Sequence, residues 1–194
     1  MAPAKSKVFV ITGPSGVGKG TLIKQLRRRV PELELSISAT TRKPREGESH
    51  GDHYHFLSVE DFEKKVAAGE FLEHAAYSGN HYGTLISEVE GRIENGHPVV
   101  LEIEIQGAEQ IRETMPEAIQ LFITPPEPAL ETLLSRLSGR GTDSSEAISG
   151  RMKVAERELD ARHEFHHQVV NDDLDRAVDE LEAIVRGKLS ELPQ

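Results

Sequence analysis

An α/β fold, a parallel sheet flanked by helices, is what the sequence predicts, and three observations predict it. The apolar run Val8-Phe9-Val10-Ile11-Thr12 leads into Gly13-Pro14-Ser15-Gly16-Val17-Gly18-Lys19-Gly20-Thr21, after which Leu22, Ile23 and Leu26 fall at helical spacing. From there on, strand-length apolar runs alternate with helical patterns, as they do in sheets built from strand–helix–strand units. Two polar, glycine-containing stretches, 40–55 and 138–145, interrupt the alternation where an insertion and a lid would sit.

The first turn is a P-loop in its proper context. Gly13, Gly16 and Gly18 keep side chains away, so that backbone N–H groups can wrap phosphate oxygens at a helix N-terminus, where the helix dipole also favours an anion. Lys19 adds a full charge that can reach the terminal phosphates. A plain glycine turn with an exposed lysine is the alternative, and the spacing of Gly13 from Gly18-Lys19 between strand and helix argues against it. The position after Lys19 is Gly20, where most P-loops carry the hydroxyl that touches Mg²⁺. That hydroxyl must come from Thr21, from water, or from nowhere.

The first helix should end at Val30-Pro31, because proline disfavours helix in the residue before it. Residues 33–39 alternate and read as one strand; residues 40–55 read as a long functional loop. Ser58-Val59-Glu60-Asp61 is a capping-box-like start for a helix to Ala68, with Gly69 as its stop. Residues 71–77 read as a strand, 78–84 as a turn, 85–95 as a helix ending at Gly96, and 98–105 as the next strong strand. A short helix over 108–114, a strand over 118–124 closed by Pro125-Pro126, and a helix over 128–137 follow. Beyond the polar stretch, Ile148, Met152, Ala155 and Leu159 mark one stripe of a charged helix, 168–171 a short strand, and 174–189 a last helix.

Two patterns ask for a chemical reading. In the strand at 98–105, Glu102 and Glu104 share one face, and carboxylates on a doubly covered strand are costly unless something pairs with them. Ligands bind at the C-terminal edge of such strands; an edge strand with one wet face is the structural alternative. His163-Glu164-Phe165-His166-His167 matches a zinc-protease pattern that needs both histidines on one unbroken helix. Here the strand at 168 should already be fraying that helix, which leaves solvated histidines at a helix end.

Composition bounds the rest. The chain has 194 residues, 37% hydrophobic, enough for one substantial core. Its formal net charge of −10, from 33 acidic against 23 basic residues, argues against nucleic-acid or membrane surfaces as partners. The absence of cysteine fits a reducing compartment, and the N-terminal apolar run is too short for a signal segment, so a cytoplasmic protein is expected.

With the P-loop, the stretches Ser36 to Arg45, Phe71 to Thr84, Leu101 to Gly107 and Gly139-Arg140-Gly141-Thr142 fall in order, and the chain closely resembles guanylate kinases from about Val8 to Ala183. The resemblance implies a P-loop NTPase-type core at 1–37, 96–137 and 152–194, a GMP-binding α+β insertion at 38–95, and a small lid at 138–151. It implies transfer of the terminal phosphoryl group of ATP, with Mg²⁺, to GMP. ATP would sit on Gly13 to Thr21, with Asn171 near adenine or, as an equal alternative, serving as a hinge or cap. Arg42, Arg45, Tyr54 and Tyr82 would take the GMP phosphate. Two arginines three apart can grip one phosphate bidentately while tyrosine hydroxyls complete the shell, although the same arginines also suit a solvated basic loop. Guanine offers N–H donors and an O6 acceptor; Glu73, Glu102 and Thr84 would answer them, with Ser38 nearby in an open role. Glu104 would face the metal through water, and Lys19, Arg136, Arg140 and Arg151 would neutralise the transferred group.

Two rivals stay open. Gly18-Lys19-Gly20-Thr21 also resembles adenylate kinase, another nucleoside monophosphate kinase, although adenine N1 would face the Glu73 and Glu102 carboxylates as an acceptor. Guanylate-kinase-like scaffold modules bind phosphopeptides with the same fold, commonly with a degraded P-loop.

Overall fold

The computed structural model of the chain describes residues 7–77, 79–138 and 145–191, with the backbone alone at 145–147. Strands β1 (Val8–Thr12), β2 (Glu34–Leu35), β7 (Val99–Glu102), β8 (Ile119–Thr124) and β9 (His167–Val170) form one parallel sheet in the order β2-β7-β1-β8-β9. Every residue of β1 and β8 is buried, as expected of strands covered on both faces. One core takes in these strands and the inner faces of α1 (Lys19–Arg29), α3 (Ile86–Glu94), α4 (Ile105–Thr114), α5 (Ala129–Ser138), α6 (Ser145–Asp160) and α7 (Leu174–Ser190). Among the described residues no helix is long and apolar enough to cross a membrane.

A second sheet, ordered β4-β3-β6-β5, is built from β3 (Ala39–Thr40), β4 (His55–Phe56), β5 (Phe71–Tyr77) and β6 (Asn80–Leu85). Its small apolar centre is Phe62 on α2 (Val59–Ala67), stacked on Phe71 with ring centroids 4.5 Å apart, together with Ala39 and Leu85. Helix α2 starts as its sequence predicts: the Asp61 N–H donates to Ser58 Oγ at 3.0 Å, and Gly69 ends the helix at φ +69°.

Three expectations are corrected. Residues 33–39 are not one strand: Ser36 N–H still bonds Val100 O in the first sheet, whereas His55 N–H bonds Ser38 O in the second. The chain changes sheets over 36–38, and alternation alone cannot tell which partner a strand has. Residues 80–85 are a strand rather than part of a turn, because β6 is paired on both sides, by β3 and β5; context overrides the turn-rich composition. Strand β7 stops at Glu102, after which Ile103 N–H makes one long bond of 3.4 Å to Ile11 O, because its neighbour β1 gives way to the P-loop. Glu104 is therefore the N-cap of α4 and not a strand residue. As expected, β7 is no edge strand: it lies between β2 and β1, and the edge-strand alternative for Glu102 falls.

The edge of the second sheet at β5 is met by α4. Gln110 accepts from His74 N–H at 3.1 Å and donates to His74 O at 2.8 Å, and Thr114 Oγ1 donates to Leu72 O at 3.4 Å. The zinc-like pattern dissolves: Ala161–Glu164 is a 3₁₀ turn and His167 begins β9, and no acid or histidine group among the described residues could hold a metal by itself.

Candidate active site

Strand β1 delivers the P-loop to the C-terminal edge of the sheet. Gly13 has φ +152°, and a Cβ there would stand 2.3 Å from Ile123 O on the neighbouring strand β8, so only glycine lets the turn leave so close to it. Gly18 has φ +101° and caps α1, with the Asn171 amide nitrogen 2.7 Å from where a Cβ would lie. Pro14, Ser15, Gly16, Gly18, Lys19, Gly20 and Thr21 line an open pocket with Glu102 and Glu104, and Val17 is buried beneath. Lys19 is only 9% exposed; its ammonium donates to Gly13 O and lies 3.6 Å from Glu104 Oε1. Asn171, just after β9, donates to Val17 O at 2.7 Å. Arg136 on α5 donates to the same carbonyl at 3.2 Å and to Asn171 O at 2.8 Å, so its fork is tied to the back of the loop. Arg151 on α6 stands close enough to act electrostatically on Tyr77. Arg140 lies outside the described residues, as does the rest of 139–144 in the expected lid.

Beside this pocket is a cavity of about 270 Å³ between the two sheets. Ser38, Tyr54, Glu73, Tyr82, Glu102 and Glu104 are among its lining residues. Glu73 is 4% exposed and accepts from the Thr84 hydroxyl at 2.7 Å. Burial pushes its carboxyl up to about 7, against the pull of the Thr84 bonds. Gly107 on α4 makes the room: a Cβ there would lie 2.4 Å from Glu73 Oε2. Burial also raises Glu102, Lys19 lowering it and Glu104 adding to the rise. Glu102 stands over Gly20, its Oε1 3.6 Å from where a Cβ would be.

At the outer end, the Arg42 guanidinium lies 5.2 Å over the Tyr54 ring, and Tyr54 and Tyr82 meet edge to face at 6.2 Å. Arg45 is exposed and lends its backbone N–H to Glu48 at 2.7 Å.

Three neighbours of these groups escape sequence reasoning. Glu48 holds the Arg42 fork by two bonds of 2.9 Å, and these, with the Arg45 N–H, keep its carboxyl down at about 2. Tyr77 lies beside the Ser15 side chain, which acts on its hydroxyl electrostatically. Glu158 on α6 is 7% exposed and lies close to Glu104 and the Ser15 backbone; burial first and Glu104 next push it well up. A signal existed for Glu158, which falls three residues after Ala155 and next to Leu159 on the apolar stripe.

A P-loop pocket and an acid-floored cavity sharing a wall suit two ligands that exchange a charged group. The comparisons with known proteins agree. Residues 5–188 match the family model described as guanylate kinase. The chain is 54% identical to a guanylate kinase of Synechococcus sp. over 94% of its own length and 96% of the relative's. It is 50% identical to one from Trichormus variabilis over 95% and 92%. The crystal structure of guanylate kinase from Anaplasma phagocytophilum superposes with a TM-score of 0.77 at 29% identity, covering 96% of this chain and 87% of that one. With a family model spanning nearly the whole chain and half the residues shared with such relatives, this chain belongs to the guanylate kinase family.

Proposed function

We propose that the P-loop pocket takes ATP, that the cavity takes GMP, and that the chain is a cytoplasmic enzyme of purine nucleotide metabolism. As a member of its family it is a nucleoside monophosphate kinase, transferring the terminal phosphoryl group of ATP to GMP to give ADP and GDP. The observation that carries the assignment of pockets is their common wall, Glu102 and Glu104. Two ligands placed there meet end to end, as in-line transfer requires.

An oxygen of the GMP phosphate attacks the γ-phosphorus while the bond to the ADP oxygen breaks. The attacking oxygen is already anionic, so no general base is needed and the protein's work is positioning and neutralising charge. Lys19, Arg136, Arg140 and Arg151 are assigned the neutralising roles, and Gly13 to Thr21 with Asn171 the ATP site. Arg42, Arg45, Tyr54 and Tyr82 are assigned the GMP phosphate, and Glu73, Thr84, Glu102 and Ser38 the base. The unit boundaries follow: core at 1–37, 96–137 and 152–194, GMP-binding region at 38–95, lid at 138–151.

The residues present suit Mg²⁺ carried by ATP. Glu104 Oε2 is buried without a hydrogen-bond partner among the described residues, and Mg²⁺ usually keeps waters and substrate phosphates around one or two carboxylates. Glu104, through water, and the exposed Thr21 are the groups that would hold it. Bound there, the ion would neutralise charge shared between the β- and γ-phosphates.

The test is a coupled assay of ATP-dependent phosphorylation across GMP, AMP, UMP and CMP. A site built to hydrogen-bond guanine leaves its polar groups unpaired with adenine, so GMP should exceed AMP by about 10⁴-fold in kcat/KM. Equal use of both nucleotides would overturn the assignment. A second variant probes the floor of the cavity. Gly107→Ala drives a methyl into Glu73 and should cost GMP at least about tenfold in kcat/KM, the scale of a lost bond to a charged group, with KM for ATP unchanged. Normal GMP kinetics in that variant would remove Glu73 from the base site.

A further inference from the structure

The lining of the GMP cavity is fixed at its front by the residues already named, but the segments that carry it are tied from behind by one side chain outside the cavity. Ile37 lies in the three-residue crossing between the sheets and precedes Ser38; His55 opens β4 and follows Tyr54. Both are bonded to Glu88 on α3. The Ile37 N–H donates to Glu88 Oε2 at 3.2 Å, and His55 Nε2, facing an acceptor-only carboxylate, donates to Oε1 at 2.9 Å. Arg92, one turn further along α3, donates to Oε2 at 2.6 Å and pairs through Nε with Glu34 Oε2 at 3.1 Å. His97 Nδ1 lies 3.6 Å from the other oxygen of Glu34, and Glu34 belongs to β2 of the P-loop sheet.

We infer that Glu88 is a positioning residue for the GMP site, bracing the backbone beside Ser38 and the backbone beside Tyr54 against the P-loop sheet through Arg92 and Glu34. The reasoning is geometric. Glu88 is 16% exposed and Arg92 20%, so solvent does not replace these bonds readily. Ser38 and Tyr54 each stand next to a strand of only two residues, too short to hold itself in place, and the backbone bonds joining those strands include His55 N–H to Ser38 O and Leu57 N–H to Thr40 O, each 2.9 Å. Without the carboxylate, the crossing would lose the tie at its middle residue, Ile37, and keep only the bonds at Ser36 and Ser38, while the P-loop would keep its own.

The inference rests on the cavity being the GMP site, so the test has an arm that does not. Amide hydrogen exchange at Ile37 is followed in the full-length wild type, Glu88→Ala and Glu88→Gln, with β1 amides as the internal standard. Loss of a bond to a charged acceptor should speed exchange at Ile37 at least about tenfold in Glu88→Ala, with β1 unchanged. Glu88→Gln keeps an acceptor oxygen and should fall between. In steady-state kinetics, KM for GMP should rise about tenfold in Glu88→Ala, with KM for ATP and kcat at saturating GMP within about threefold of wild type, the pattern of lost ground-state binding. Unchanged exchange at Ile37 overturns the brace. Faster exchange with an unchanged KM for GMP overturns its positioning role, and parallel losses for both substrates and for kcat would show general damage instead. If the wild type proves not to use GMP, the assignment of the cavity falls, and the exchange arm still decides whether Glu88 holds the crossing.

Discussion

Replacing Lys19 by Met is expected to lower kcat by at least about a hundredfold, the scale of removing one strong electrostatic contact from a preorganised site. Met matches the length of the lysine stem and can occupy the same slot, 9% exposed at the mouth of α1. What disappears is the charge, together with the bond to Gly13 O and the approach to Glu104. Lys19 also holds down Glu102 and opposes the rise of Glu158, so its removal leaves the shared wall of the two pockets with its carboxylates uncompensated. The effect should fall on turnover more than on KM for GMP, because transferred charge accumulates on the P-loop side. A thermal melt run beside the kinetics separates lost chemistry from lost fold. A folded variant with near-normal turnover would end the catalytic assignment of Lys19.

Assayed above pH 7, where the Glu73 carboxyl is ionised, Glu73→Gln should lower kcat/KM for GMP about ten- to a hundredfold, since hydrogen bonds to charged groups contribute about 1.5 to 3 kcal/mol. AMP should lose little or gain, because an amide can donate to adenine N1 where a carboxylate cannot. The same substitution has an opposite effect on stability. Burial holds the native carboxyl near 7 against an ordinary 4.5, so between those values the folded protein keeps a proton that the unfolded chain has released. Stability must therefore fall as pH rises from about 4.5 to about 7, by as much as about 3 kcal/mol, and stay at the lower value above that range. Glutamine does not titrate. The difference in melting temperature, variant minus wild type, should thus grow across that window and then level off. A flat difference, or equal kinetic losses for GMP and AMP, would show that Glu73 serves the fold and not the base.

Much of this was legible in the residues because local signals and tertiary context agree there. The β1–P-loop–α1 unit, the Ser58 cap of α2, the span of β5 and the strand before Pro125-Pro126 all have the limits that spacing, caps and breakers demand. The misses share one cause: the pairing partner lies far away in sequence. Residues 34–35 and 39–40 look like one strand until Val100 and His55 claim different ends of it, and Asn80 to Leu85 is a strand because β3 and β5 flank it, not because Asn, His and Gly favour one. At the site, paired carboxylates on one strand face were an artefact of extending β7 too far, although both acids do reach the same wall, Glu102 from the strand end and Glu104 from a helix cap. Tyr77, inside the stretch Phe71 to Thr84, carries no role there, and Glu48 and Glu158 carry no motif. They matter through what folding puts beside them, a Ser15 side chain, an arginine fork and a second carboxylate.

The contact between α4 and β5 bears on how the protein stays apart from itself. Strand β5, with Phe71, Leu72 and Tyr77, lies at the end of its sheet, and such a margin offers unsatisfied N–H and C=O groups to any other extended chain. Gln110 takes both backbone groups of His74, and Thr114 takes the Leu72 carbonyl, so that two side chains of a helix stand where a foreign strand would dock. The helix that begins at the shared wall of the two pockets therefore also closes the sheet's most apolar margin against aggregation.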